Sequence, residues 1–357
     1  MTMKRNVTLI GLTVLILALI LTGCAGAATP TAAGVAAPAA DETPVPVEEP
    51  EEAAPAELTD VTLMLDWVPN TNHTGIYVAQ ANGYFEEAGL NVAIIEPGEV
   101  FAEQAVVGGG ADFGVSFQEQ VTLARADGVP LVSIAAMIQH NTSGFASRAD
   151  VGLRSPADFE GLRYGAFGSP FEEPTLRVLM ECDGADFGQL EVVNVGFADP
   201  LALLSEKQVD LAWIFYGWQG FQAQQQGIDL SIVMMEDWFD CIPDYYTPII
   251  VTSEQTIAER PELVSAFMGA LSRGYEFAAE DPEAAAEILV EAVPELDADL
   301  VQASQAWLSP RYQADAPRWG EQQASVWADY SQWMVDNGIL NAPIDAEAAF
   351  TNDFLPE

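Results

Sequence analysis

The sequence predicts an α/β protein of two hinged lobes, each with a parallel-rich sheet, followed by a helical C-terminal tail. Two runs of alternating apolar strand and helix, over residues 61–137 and 163–234, predict parallel strands covered by helices on both faces. A strand near residues 246–252 returns to the first sheet, and after it only helical periodicity remains. With 357 residues, half of them hydrophobic and 10% aromatic, the chain is long enough for two lobes and too apolar for global disorder.

The N-terminus predicts export and anchoring. Lys4 and Arg5 precede an apolar run over residues 7–21, shorter than the ~20 residues a membrane-spanning helix needs. The run ends in Leu21-Thr22-Gly23-Cys24, a lipobox in which the signal peptide, residues 1–23, is removed and Cys24 is acylated. Acyl burial at ~0.8 kcal/mol per CH₂ makes two or more chains a stable anchor, so a lipid-anchored location on the extracytoplasmic face of the cell membrane is expected. Residues 24–57 are rich in Ala, Pro, Thr, Val and Glu and lack aromatics, which predicts a disordered acidic tether.

Charge excludes several classes. Twelve basic residues against 54 acidic ones give a net −42, and loss of the signal leaves ten against 54, a net −44. Such a surface repels phosphate backbones, so nucleic acid is excluded as a partner. Two histidines cannot build a His-rich metal site, and three cysteines cannot build a disulfide-dense scaffold. After export Cys182 and Cys241 remain, either as one disulfide or as two buried thiols.

In the first lobe, strands are expected at 61–65, 91–95, 113–116 and 129–137. Helices are expected from residue 76 to near Gly89, over 101–107 and over 118–125. The second lobe restarts at residue 155, with strands at 163–167, 190–195, 211–215 and 228–234 and helices at 173–182, 200–206 and 220–226. Tail helices are expected at 261–280, 282–293, 297–307 and 322–337, the last capped by Gly338.

Ligands of open α/β sheets bind beyond the carboxyl ends of strands, and the cleft between two lobes brings those ends together. The loop after the first strand carries Trp67, Asn70, Asn72 and His73, an indole, two amides and an imidazole suited to the edge of a heteroaromatic ring. Ser116, Gln118 and Glu119 follow the third strand, and His140 and Asn141 the fourth. Gly168 and Ser169 precede a helix whose free N–H groups can take an oxyanion or carbonyl. Tyr216 and Trp218 lie beyond an aromatic strand, and Tyr245 and Tyr246 lie near the hinge, so all four are candidate walls for a flat ligand. No nucleophile or acid–base pair assembles at the strand ends, so no catalytic residue, metal or cofactor is expected.

The stretch Leu65-Asp66-Trp67-Val68-Pro69-Asn70-Thr71-Asn72-His73-Thr74-Gly75 closely resembles the thiamin-pyrimidine-synthase-like family of periplasmic-type binding proteins. The stretches Gly83-Tyr84-Phe85-Glu86-Glu87-Ala88-Gly89-Leu90 and Gly110-Ala111-Asp112-Phe113-Gly114 support it, as does the order of elements to about residue 340. The resemblance implies a bilobal type II periplasmic-binding-protein-like fold. Its first lobe would be discontinuous, 58–143 with 247–357, and its second would span 144–246, with hinges near 142–146 and 244–248. It implies an importer binding subunit for riboflavin or for the thiamin precursor formylaminopyrimidine, acting as a monomer with an ABC permease and ATPase. The enzyme branch of the family holds pyridoxal phosphate on a lysine with a histidine four residues on. Here those positions are Ser116 and Gln120, and the family's cysteine cluster is reduced to Cys241, so an enzyme is not expected. A ligand-sensing lipoprotein and a secreted enzyme are the competing classes. The ring surface of Trp67, Tyr216, Trp218, Tyr245 and Tyr246 exceeds what one pyrimidine covers, which favours riboflavin.

Overall fold

The computed structural model describes residues 57–98, 100–196 and 198–357. The expected signal peptide, Cys24 and nearly all of the tether lie outside the described residues. Among the described residues no helix is long and apolar enough to cross a membrane.

Ten strands form two five-stranded sheets. The first sheet contains β1 (Thr59–Met64), β2 (Leu90–Ile95), β3 (Phe113–Ser116), β4 (Leu131–Ala136) and β10 (Ile249–Ser253), in the order β2-β1-β3-β10-β4. The second contains β5 (Ser143–Arg148), β6 (Arg163–Ala166), β7 (Glu191–Asn194), β8 (Leu211–Phe215) and β9 (Leu230–Met234), in the order β7-β6-β8-β5-β9. The helices are α1 (Thr74–Ala81), α2 (Tyr84–Glu87), α3 (Ala102–Val107), α4 (Gln118–Ala126), α5 (Glu172–Cys182), α6 (Pro200–Ser205), α7 (Phe221–Gln225) and α8 (Glu254–Glu259). The tail adds α9 (Pro261–Glu280), α10 (Pro282–Ala292), α11 (Ala298–Gln313), α12 (Ala324–Asp336) and α13 (Ala346–Ala349).

Each sheet is mixed, with one antiparallel strand in the fourth position. β10 runs against β3 and β4, and β5 against β8 and β9. The cause is the crossing between lobes. The chain leaves β4 at its carboxyl end and enters the second sheet where β8 ends, with Ser143 opposite Phe215. It returns where β3 ends, with Ile249 opposite Ser116. A strand that starts beside its neighbours' carboxyl ends must run backwards, and both crossings therefore lie at the carboxyl ends of the two sheets.

Strand β5 went unpredicted because Ser-Gly-Phe-Ala-Ser-Arg has little strand propensity. It is central and buried, and Gly144 leaves room for the Val233 carbonyl, which a Cβ would meet at 2.7 Å. The first expected helix is broken into α1 and α2 at Gly83, whose φ of 72° belongs to the left-handed region. Helix α11 continues through Pro310 to Gln313, beyond the expected end at 307.

The first sheet packs one face on α1, α9 and α11, around Ile76, Phe113, Phe267 and Tyr275. The second sheet packs Phe145, Tyr164 and Leu211 against α5 and against Tyr330, Trp333 and Met334 of α12. Trp327, one turn earlier on α12, belongs to the core on the other face of the first sheet. Helix α12 thus reaches both cores. Cys182, at the end of α5, and Cys241 form a disulfide with a Cα–Cα distance of 6.2 Å, which resolves the alternative left open by spacing.

Candidate functional site

The polar side chains of the first lobe gather at the carboxyl ends of β1 and β3. Residues Thr71–His73 form one 3-10 turn that runs directly into α1. Asn70 caps it: its Oδ1 accepts from the Asn72 N–H at 2.9 Å, and its own N–H donates to His73 Nδ1 at 3.2 Å. With Nδ1 accepting, the ring proton sits on Nε2, which donates to Asp66 Oδ1 at 2.6 Å. His73 is fully buried, so it positions Asp66 from behind. The tail completes the loop. Tyr275 donates to the Asn72 carbonyl at 2.7 Å, Tyr312 to the Thr71 carbonyl at 2.5 Å, and Thr74 to Gln305 Oε1 at 2.6 Å. The Asn72 amide makes no hydrogen bond among the described residues. Trp67 is 38% exposed at the rim.

Ser116, the last residue of β3, donates its hydroxyl to Glu103 Oε1 in the first turn of α3. Burial, and more weakly Asp66 nearby, raise the Glu103 carboxyl above the usual range, against the pull of the Ser116 hydrogen bond.

The second lobe meets this loop through one π turn, Tyr216–Gly220. Ser304 of α11 donates to the Gly217 carbonyl, so the Thr71 hydroxyl is the donor in the 2.5 Å Thr71–Ser304 bond. The Tyr216 ring stands edge-on to Trp307 at 5.1 Å. Trp218 is buried among Tyr77, Leu289 and Leu300.

Several candidate residues build the hinge. His140 on the first crossing bonds Asp244 on the second through Nδ1 at 2.6 Å, and Asp315 through Nε2 at 3.0 Å. The Asp244 hydrogen bond, with smaller contributions from both carboxylates and against partial burial, raises the imidazole to about 9. Asn141 Oδ1 accepts from the Ser143 N–H and hydroxyl, both at 2.7 Å. Gln118 accepts from the Tyr246 N–H at 2.8 Å and donates to the Val326 carbonyl at 3.3 Å. Glu119 is buried beside the Tyr245 hydroxyl, and burial pushes its carboxyl up to about 8. The Tyr245 ring packs on Tyr330 at 4.4 Å with the planes tilted by 34°, and Tyr246 presents no ring surface to open space, being 2% exposed with its hydroxyl accepting from the Gln323 N–H.

The helix start at Gly168 and Ser169, expected to take an oxyanion or carbonyl, is already filled. Its N–H groups already donate to Glu172 Oε1, both at 2.7 Å, and Phe167 N–H and Tyr164 hydroxyl hold Oε2 at 3.0 and 2.7 Å. A carboxylate of the helix's own first turn fills the expected anion site. Trp218, Tyr245 and Tyr246 are likewise packed into cores, so these three rings offer no wall to a flat ligand.

The structure therefore brings Trp67, Asn70, Asn72, His73 and Ser116 together at one end of the first sheet. It adds Asp66 and Glu103, which sequence reading passed over. Asp66 stood inside the quoted motif, and an acid followed seven residues later by histidine was a usable signal. Glu103 and Ser304 had none, because each is an ordinary helical residue until the fold places it.

The comparisons with known proteins follow the same outline. The NMT1/THI5-like family matches residues 70–285. The formylaminopyrimidine-binding protein of Halalkalibacterium halodurans is 30% identical, over 83% of this chain and 90% of that one. The riboflavin-binding protein RibY of Chloroflexus aurantiacus is 27% identical over 99% of both. A 4-amino-5-hydroxymethyl-2-methylpyrimidine phosphate synthase from Legionella pneumophila is 27% identical over 83% and 92%. The alkanesulfonate-binding protein SsuA from Xanthomonas axonopodis, at 16% identity, superposes with a TM-score of 0.64 over 83% of this chain and 99% of that one, which shows the periplasmic-binding-protein fold. The chain belongs to the NMT1/THI5-like family.

Proposed function

We propose that this chain is the ligand-capturing component of an ABC importer, held outside the membrane by lipidated Cys24. Its ligand is an uncharged planar heteroaromatic vitamin or precursor, riboflavin first and formylaminopyrimidine second. The observation that carries the uncharged ligand is the placement of cations. The cations among the described residues are engaged within the chain: seven of the nine arginines pair with carboxylates, Arg177 and Arg311 lie over Phe187 and Trp307, and His140, raised to about 9, is held between Asp244 and Asp315. Lys207 is exposed at the amino end of β8, away from the carboxyl ends. A phosphate entering the site would meet Asp66 and Glu103 without a cation. The riboflavin-binding relative is 27% identical over 99% of this chain and the formylaminopyrimidine-binding relative 30% identical over 83%, so both ligands enter the test.

Binding rather than catalysis is supported by Ser116, whose hydroxyl is tied to Glu103 where the synthase branch has its lysine. Domain closure about the two crossings, residues 137–142 and 235–248, would bury the ligand between the lobes, and delivery requires a permease and its ATPase as partners.

Titration of the purified protein with riboflavin, followed by calorimetry, should show micromolar or tighter binding. Flavin mononucleotide should bind at least ~100-fold more weakly, because burying its phosphate beside two acids has no compensating pair. Tight formylaminopyrimidine binding without riboflavin binding reverses the ligand. Turnover of a pyrimidine precursor with no reversible binding overturns the importer reading.

Anchoring is tested separately. Growth with a labelled fatty acid should label the wild-type protein and leave Cys24→Ser unlabelled and released from membranes. An unlabelled, soluble wild type removes the anchor from the proposal.

A further inference from the structure

The rings of Phe117 and Phe215 face each other across the two lobes, with centroids 6.0 Å apart and planes within 16° of parallel. Phe117 directly follows β3 and is the N-cap residue before α4 in the first lobe, and Phe215 is the last residue of β8 in the second. Each stands where a strand ends and a crossing meets the sheet. Ser116 lies opposite Ile249, the first residue of β10, and Phe215 lies opposite Ser143, the first residue of β5. Their backbones are held firmly. The Gln118 N–H donates to the Tyr246 carbonyl at 3.1 Å, and the Phe215 N–H donates to Gln219 Oε1 at 2.9 Å. Both side chains are only partly buried.

We propose that Phe117 and Phe215 form a two-sided stacking clamp that selects a flat, fully conjugated heterocycle; this deepens the reading above and rests on it. A ring stacked on both faces needs its partners about 7 Å apart, two van der Waals contacts of ~3.5 Å. The observed pair, with centroids 6.0 Å apart, lies closer than that, so opening about the crossings that sets the two faces ~7 Å apart admits one flat ring and no puckered one. The clamp sits beside groups able to read the ligand's edge. Ser116 and Glu103 adjoin Phe117. Trp213, two residues before Phe215 on the same strand face, carries a buried indole N–H without a partner. The clamp thus supplies shape selection from apolar faces, while the polar edge sets orientation.

The test is the affinity of the full chain for riboflavin or, where the wild type takes no riboflavin, for formylaminopyrimidine. Phe117→Leu and Phe215→Leu keep apolar volume but lose the plane, and each is expected to weaken binding about tenfold, the pair about a hundredfold. Phe117→Tyr and Phe215→Tyr keep the plane and should stay within about threefold. Thermal midpoints are measured in parallel. Where a Leu variant melts early, Phe→Met at the same position repeats the measurement. If both flat-to-branched variants bind within about twofold of wild type at an unchanged midpoint, the rings only touch each other and the clamp is overturned while the importer reading stands. If the wild type binds neither ligand, the importer reading falls, and the clamp with it.

Discussion

Gly274→Ala should destabilise the fold by about 3 kcal/mol or more, and weaken ligand binding at the same time. Helix α1 carries the candidate loop on its first turn, and it crosses α9 at a contact between two glycines. A Cβ built on Gly274 runs into the Gly75 carbonyl oxygen and comes within 2.9 Å of the Ala79 Cβ. A Cβ on Gly75 runs into the Tyr275 ring. The obstacle to Gly274→Ala is backbone, which cannot rotate aside as a side-chain tip can. Relief requires α1 to move away from α9, and α1 takes residues 70–73 with it. That motion also pulls the Asn72 carbonyl from the Tyr275 hydroxyl, now bonded at 2.7 Å. A fall in Tm of roughly 6–12 °C is expected for a chain of this size, together with loss of affinity. Wild-type Tm and affinity in Gly274→Ala would mean the two helices can separate at no cost, contrary to this geometry.

Glu119→Gln should remove a pH dependence of stability worth roughly 3–5 kcal/mol between pH 4.5 and 8. Glu119 is 4% exposed, and burial raises its carboxyl from 4.5 to about 8. In that window the folded chain keeps the Glu119 proton and the unfolded chain releases it. Stability therefore falls as pH rises through the window and levels off above about 8. The Tyr245 hydroxyl hydrogen-bonds this group, and the carboxylate also acts on Tyr330; burial raises both phenols well above the usual range, so they stay neutral throughout. Glutamine copies the shape of the neutral acid and cannot ionise. Chemical denaturation at several pH values should show the variant gaining on the wild type by about 1.4 kcal/mol per pH unit across the window. A stability difference that stays flat from pH 5 to 8 would show that Glu119 ionises in place without penalty. The other 53 acids change both proteins equally, so the difference isolates one group. The residue matters for motion as well as stability, because it joins α4 of the first lobe to the second crossing and to α12.

Local signals carried much of the architecture. The motif from Leu65 to Gly75 placed a polar loop at the end of β1, and the return strand went back to the first sheet as the second arm of the hinge. The tail helices α9, α10 and α12 follow their 3.6-residue periodicity closely. The antiparallel strands were less legible. β5 is written in serine, glycine and alanine, and it is a strand because both neighbouring strands hold its backbone, so propensity says little.

The aromatic residues divide in the same way. Sequence could name Tyr216, Trp218, Tyr245 and Tyr246 as rings near strand ends, since proximity to a strand end is a local property. Whether a ring faces a partner chain segment or open space depends on what arrives from far away. Residues of α10 and α11 cover Trp218, Tyr330 covers Tyr245, and Trp327 lies in the same core as Tyr246. The same holds for Gly168 and Ser169, whose N–H groups look free until Glu172 folds back onto them. The sequence by itself determined the fold class and which residues near strand ends carry rings, amides and hydroxyls, because periodicity and side-chain chemistry are written locally. Only the tertiary structure decided which of them point into the space between the lobes, because burial is a property of long-range neighbours.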